Sequence, residues 1–322
     1  MKSPHKLLFV FLMTTSTVMV LSSSNWLTTW MGLEINMLGF IPLMYHKTTP
    51  NESETTVKYL VPQSLGSSMF IMGALTSYHS NNMEALMPIA MCLKLGAAPL
   101  HFWFPAVMAG LSLAPAFILL TWQKIAPIFA ISSMNPSLTS KILPIAGISA
   151  LWGGIGGLNQ TDIRLLLSYS SIAHTGWMLA GTAAPEPVLI LYLMTYVMTN
   201  TSLFIALLQN SPKTHKQLLP ISQKPYESFL LAISILSLGG LPPLTGFVMK
   251  LLVLMFTEAK IVTLVPLISG AIMSLYYYLS MTFSPLLSLN KMPVSQIKLM
   301  TTTSISFLLS QMVPLSLLFF FF

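Results

Sequence analysis

Between Ala85 and Ser133 the chain carries no acidic side chain, no arginine and only two lysines, Lys94 and Lys124. A run this long and this apolar cannot form the surface of a water-soluble domain; it needs either a bilayer or a very large core around it. Composition decides between the two. Hydrophobic residues make up 54% of the 322 positions and charged residues 7%, with a mean hydropathy of +0.75. A soluble domain carries about 25% charged residues. Too little polar surface is present to clothe a single core. The expected fold class is an all-α polytopic membrane protein.

A membrane helix needs about 20 mainly apolar residues. On that length the sequence predicts eleven crossings, over 6–22, 26–45, 59–77, 84–112, 115–134, 141–158, 162–180, 187–209, 226–257, 261–284 and 300–321. The fourth and ninth are too long for simple spans. Both hold Gly and Pro centrally: Gly96 with Pro99, and Gly239, Gly240, Pro242 and Pro243 with Gly246. Each is read as a discontinuous helix that crosses once. Lys2, Lys6, Lys47, Lys58, Arg164, Lys213, Lys216, Lys224, Lys291 and Lys298 then share the face of the N-terminus, and Lys141 and Lys260 lie on the other. This ten-to-two split obeys the positive-inside rule, whereas double crossings at both long segments would give seven to five. The N-terminal face is therefore cytoplasm or mitochondrial matrix, and the net charge of +7 reports topology rather than nucleic-acid binding. The first run is read as a retained span, because no small-x-small cleavage site follows it. Asn51-Glu-Ser and Asn159-Gln-Thr match a glycosylation pattern, but both fall on the N-terminal face. The single cysteine, Cys92, allows neither an internal disulfide nor a thiolate-ligated cluster within the chain.

Four charges fall inside spans: Glu34, Lys94, Lys124 and Lys250. Each costs about 2.5–3.5 kcal/mol to insert at a helix centre, and such charges are functional by default. The two interrupted segments also resemble each other. "LGAAPLHFWF" from Leu95 and "LGGLPPLTGF" from Leu238 match at Leu, Gly, Pro and the final Phe with an offset of 143. Spans four and nine enter the membrane from opposite faces, so residues 1–135 and 136–285 are expected to form inverted five-helix repeats, with an extra helix in 286–322. Gly and Pro free backbone groups that water, polar side chains or protein must satisfy. A lysine beside such a break gains polar neighbours, which suits proton transfer.

The stretches "NWLTTWMGLEINMLGFIPL", "KLGAAPLHFWFP", "TWQKIAP", "LLSYSSIAHTGW" and "LSLGGLPPLTGFVMK" occur here in this order. In them the chain resembles the antiporter-like membrane subunits of respiratory NADH:ubiquinone oxidoreductase, complex I, in their mitochondrially encoded animal form. The 23 methionines and the single arginine suit that origin. The resemblance implies a proton-translocating subunit of the membrane arm, multi-pass in the inner mitochondrial membrane, with its N-terminus in the matrix and its C-terminus in the intermembrane space. It implies no cofactor in this chain. Flavin, iron–sulfur clusters and quinone reduction belong to partner subunits, and bound phospholipid is the other expected ligand. The implied partners are neighbouring antiporter-like and small membrane-arm subunits and membrane lipid, with no nucleic acid and no metal. By motif, the resemblance places the proton pathway on Glu34, Lys94, Lys124, Lys250 and His174. A stand-alone cation/proton antiporter and a purely structural membrane-arm subunit are the alternatives.

Each of these residues also has a plainer reading. Glu34 and Lys94 could brace two helices as a pair, and at about 4 Å would attract by about 4 kcal/mol at an effective dielectric of 20. Lys124, between Gln123 and Pro127, could satisfy a bent helix. Lys250 could snorkel from a short half-helix. His174, beside Ser170, Ser171 and Thr175, could be packing, and its side chain equally suits a proton shuttle. His101, just past the first break, is read as closing freed backbone. Tyr169, Ser170 and Ser171 are expected to pack and to line a water path, and Tyr276, Tyr277 and Tyr278 to be span or interface aromatics.

Overall fold

The computed structural model describes residues 4–45, 50–77, 85–210, 225–242, 244–257 and 261–289. Among these lie thirteen helices and no β-strand: α1 (Pro4–Ser22), α2 (Trp26–Met44), α3 (Pro50–Thr76), α4 (Leu86–Leu95), α5 (Trp103–Gly110), α6 (Leu113–Leu120), α7 (Trp122–Ser132), α8 (Pro136–Gly157), α9 (Ile163–Gly181), α10 (Glu186–Asn210), α11 (Pro225–Gly239), α12 (Thr245–Phe256) and α13 (Ile261–Leu289). The crossing expected over 300–321, most of the 210–226 loop, Pro243 and seven of the counted lysines besides Lys2 (Lys47, Lys213, Lys216, Lys224, Lys260, Lys291, Lys298) lie outside the described residues.

Five described spans are each long and apolar enough to cross a membrane: His5–Ser22, Leu113–Ser132, Pro136–Gly157, Glu186–Leu208 and Ile261–Phe283. The more polar α2, α3 and α9 hold Glu34, Gln63 and His174 and pack among them. The outside is apolar, and the intramembrane lysines are buried within a largely apolar core. Leu7, Phe11, Ile261 and Val262 face outward, while Lys94, Lys124, Lys250 and His174 are buried. That arrangement is what a lipid solvent imposes: apolar side chains lose nothing by facing acyl chains, and polar groups must find partners within the protein. Serine and threonine hydroxyls along the spans mostly close onto carbonyls of their own helix, as Ser149 does on Ala146 and Ser234 on Leu231. Small residues set the helix spacing. A Cβ on Gly153 of α8 would strike the Ala173 backbone of α9, and one on Gly176 of α9 would lie 2.5 Å from the Ala146 carbonyl of α8. Backbones thus approach closely where van der Waals packing drives association in lipid.

Several spans differ from their expected limits. α3 begins at Pro50, so Lys58 is helical rather than in a loop. It pairs with Glu54 at 2.6 Å on the exposed first turns, and its ammonium holds the Glu54 carboxyl below the usual carboxylate range. The fifth crossing is two pieces, α6 and α7, divided at Thr121 (φ −108°, ψ −69°). Pro127 has no N–H to give the Gln123 carbonyl, which weakens the ladder just beyond this division.

Ends assigned by charge to the N-terminal face meet one another. Lys6 Nζ donates to the Tyr45 carbonyl at 3.3 Å, the Tyr45 and Thr56 hydroxyls are 2.9 Å apart, and Arg164 Nη1 donates to the Leu111 carbonyl at 2.6 Å. The start of α1, the end of α2, the start of α3, the end of α5 and the start of α9 therefore gather pairwise as the topology requires.

Candidate functional site

Both expected interruptions are present, and they are the same backbone motif. At the end of α4, Gly96 is left-handed (φ 69°), its N–H reaches the Leu93 carbonyl at 3.1 Å, and the Ala97 N–H reaches the Cys92 carbonyl at 2.9 Å. At the end of α11, Gly240 is left-handed (φ 81°), its N–H reaches the Ser237 carbonyl at 3.1 Å, and the Leu241 N–H reaches the Leu236 carbonyl at 3.4 Å. Only glycine adopts this conformation without steric cost, and the paired bonds satisfy two carbonyls of each ending helix. The conformational match is Gly96 with Gly240, one residue further along than the sequence match of Gly96 with Gly239. The second break also demands a glycine downstream, since a Cβ on Gly246 would overlap the Ser237 carbonyl.

Side chains add further donors to the ending helices, and they differ at the two breaks. At the first, Trp103 Nε1 donates to Leu93 and Gln63 Nε2 donates to Lys94, both at 3.0 Å. At the second, Lys250 Nζ itself donates to Gly239 at 3.0 Å. Neutral side chains therefore cap the first break and leave the Lys94 ammonium for other work, whereas the Lys250 ammonium is the cap. Lys250 also borders an apolar cavity of about 270 Å³ with Trp177, Gly239, Gly240 and Leu254.

Lys94 and Lys124 line one cavity of about 20 Å³ together with Asn36, Tyr59, Gln63 and Gln123. Roughly 10–15 Å³ holds one water when polar partners are present, and here they are. Gln123 Nε2 donates to Asn36 Oδ1 at 2.9 Å, and the Tyr59 hydroxyl donates to Gln123 Oε1 at 3.4 Å. On the far side, Lys124 Nζ donates to the Ser171 carbonyl at 2.9 Å and to the Tyr196 hydroxyl at 3.2 Å, 4.8 Å from the centre of the Tyr196 ring. The Tyr196 ring lies 5.0 Å from that of His174, whose Nδ1 is 2.8 Å from the Tyr192 hydroxyl. His174 and Tyr196 share a second cavity of about 10 Å³ with Ser237, Leu238 and Gly246 at the second break. His174 is within electrostatic reach of both Lys124 and Lys250. The order across the protein interior is thus Lys94, cavity, Lys124, Tyr196, His174, second break, Lys250.

The structure brings together Lys94, Lys124, His174 and Lys250. Glu34 differs. It acts electrostatically on Lys94 and Tyr59, but the contact pair expected with Lys94 is not formed: no Glu34–Lys94 ion pair lies within 4.0 Å. Gln63 is the side chain that bonds Lys94 directly, through its amide to the Lys94 backbone carbonyl. His101 Nδ1 lies 3.3 Å from the Pro99 carbonyl within the first break and its ring stacks on Phe102, which fits its backbone-closing reading. Ser170 and Ser171 turn their hydroxyls onto their own helix, and it is the Ser171 carbonyl that serves Lys124. Tyr276 is exposed, while Tyr277 and Tyr278 are buried. Sequence reasoning missed Tyr192 and Tyr196. Their signal is the polar stripe Tyr192, Thr195, Tyr196, Thr199, Asn200 at helical spacing in an apolar span.

Among known proteins, the family described as NADH:quinone oxidoreductase/Mrp antiporter, TM matches residues 23–274. NADH-ubiquinone oxidoreductase chain 2 of Cynictis penicillata is 38% identical over 304 residues, covering 90% of this chain and 88% of its own length, and that of Nandinia binotata gives the same figures. Of solved structures, a chain of respiratory complex I from Thermus thermophilus superposes with a TM-score of 0.81 at 24% identity, over 96% of this chain and 76% of its own. A chain of the Mrp complex from a Dietzia species gives 0.66 at 16% identity, over 91% and 60%. At these identities the two structures speak to the fold.

Proposed function

This chain belongs to the NADH:quinone oxidoreductase/Mrp antiporter transmembrane family, and from that premise we propose that its interior lysines carry protons along the line from Lys94 to Lys250. It is an antiporter-like, proton-translocating subunit of the membrane arm of complex I, multi-pass in the inner mitochondrial membrane. The NADH and quinone chemistry belongs to partner subunits in this reading; the lone Cys92 is buried and supplies one thiol where a cluster needs several ligands. The face carrying Lys6, Tyr45 and Arg164 is the matrix face.

One observation carries the proposal: three buried lysines lie along one polar line, and among the described residues no carboxylate forms an ion pair with any of them. Inserting a charged lysine costs about 2.5–3.5 kcal/mol, and a hydrogen bond to a charged group returns about 1.5–3 kcal/mol. The bonds on Lys124 and Lys250 therefore nearly offset the cost of charge, so neither protonation state is locked. A purely structural subunit gains nothing from such a balance, since apolar residues of similar volume pack as well or better. Protons enter from the matrix side, and Glu34 acts on Lys94 through its field rather than through contact. Charge on one lysine disfavours charge on the next, so the sites exchange protons in sequence.

The test is Lys94→Met in the assembled complex. It removes the titratable group and keeps apolar bulk. Proton pumping and coupled ubiquinone reduction should fall by about tenfold or more, while NADH oxidation by artificial acceptors upstream persists. Glu34→Gln should show a related defect, less than additive with the first. Full assembly with parental pumping in Lys94→Met would refute the relay.

A further inference from the structure

We propose that Tyr196 is a positioning residue that keeps Lys124 hydrogen-bonded in both of its charge states. The inference rests on the reading of Lys124 as a proton-pathway residue. Two partners hold Lys124 Nζ: the Ser171 carbonyl at 2.9 Å and the Tyr196 hydroxyl at 3.2 Å. They differ in kind. A carbonyl only accepts, whereas a phenol accepts and donates. The ammonium form offers three N–H donors and no lone pair, so both partners accept from it. The neutral amine keeps two N–H donors and gains one lone pair. The bond to Ser171 survives that change, and the lone pair then needs a donor. Tyr196 becomes that donor by turning its O–H about the C–O bond, with no movement of heavier atoms. The aromatic faces beside Nζ, Tyr196 at 4.8 Å and Phe104 at 5.9 Å, favour the cation alone.

Tyr196 is held for this task. It is buried, Asn200 Nδ2 donates to its backbone carbonyl at 2.8 Å, and its ring packs against His174 at 5.0 Å. The titratable groups that face the pair are Lys94 from α4, Tyr59 from α3, His174 from α9, Tyr192 from α10 and Tyr278 from α13. None of these forms a hydrogen bond to Lys124 Nζ, so Tyr196 is its reversible partner. The sequence of events balances: one proton leaves Lys124, the Tyr196 hydroxyl reverses, and Tyr196 is chemically unchanged.

The experiment compares Tyr196→Phe with the parent in the assembled complex, measuring coupled ubiquinone reduction and proton pumping across a range of pH, normalised to complex content. The ring and its packing remain; only the hydroxyl is lost. The expected result is normal assembly, a rate lowered about tenfold by one unmet hydrogen bond, and a displaced pH–rate profile. A parental rate and profile would overturn the proposal. So would a loss that is uniform at every pH, because it marks a packing role. Tyr196→His restores a group that can both accept and donate. It should recover part of the rate, and it stands in if the Phe variant does not assemble; failure of both to assemble also overturns the proposal. Lys124→Met separates the two levels of inference. If it pumps like the parent, the pathway reading itself fails. If it is impaired while Tyr196→Phe is not, only the Tyr196 proposal fails.

Discussion

Gly66 shows how closely the surroundings of one ammonium are drawn. It sits on α3 against Lys94, and a Cβ there would lie 2.8 Å from Lys94 Cγ and 3.3 Å from the Ala90 carbonyl. The carbonyl belongs to a helix and the stem is flexible, so the lysine gives way first. Gly66→Ala should therefore leave the complex assembled, shift the Lys94 ammonium relative to its cavity, and lower coupled quinone reduction by about threefold or more, since misplacement on the order of 1 Å can cost far more than that. Rates per assembled complex in membrane vesicles check this, and an unchanged rate would mean that the position of Lys94 is not critical. At the same scale, the sequence made the costly residues legible: a lysine in an apolar run stands out without any structure. The neutral partners were not legible. Gln63 and Tyr196 carry no charge, and their importance comes from facing Lys94 and Lys124 across helix contacts 31 and 72 residues apart in sequence.

Helix endings inside the membrane are the elements that make the site. α4 stops at Leu95 because glycine, alanine and proline follow, and the stop is tolerable because the Gly96 and Ala97 N–H groups turn back on the helix and Trp103 and Gln63 supply further donors from outside it. Removing one donor should show as instability rather than as altered topology. Gln63→Leu, which leaves the Lys94 carbonyl unpaired, is expected to cost about 1–3 kcal/mol, seen as a lower midpoint of thermal inactivation for the solubilised complex. A midpoint equal to the parent's would indicate that water replaces the amide. The overlong fourth and ninth segments and their Gly-Pro clusters foretold both endings, because a 3.6-residue ladder cannot pass proline unharmed. The division at Thr121 had no such signature at the residue itself, and the early start of α3 was hidden by its polar first turns. Hydropathy measures the bilayer's thickness, not the length of a helix that emerges from it.

For the whole molecule, the orientation makes a test in which the lone native thiol helps, since Cys92 is buried and leaves little background. Asp162→Cys, in the exposed turn between α8 and α9, should react with an impermeant maleimide only when the matrix face is open. Glu186→Cys, exposed at the start of α10, should react in mitoplasts from the outer face. Reversed labelling would overturn the orientation argued from the lysines. The two broken helices share a backbone motif, yet their lysines are not equivalent: one faces a cavity, and the other is tied to the Gly239 carbonyl. Titrating Lys94 is therefore a matter of chemistry alone. Titrating Lys250 also changes the donor that closes the second break: the neutral amine can still donate to the Gly239 carbonyl, but as a weaker donor than the ammonium, so charge there is coupled to how firmly that helix end is capped.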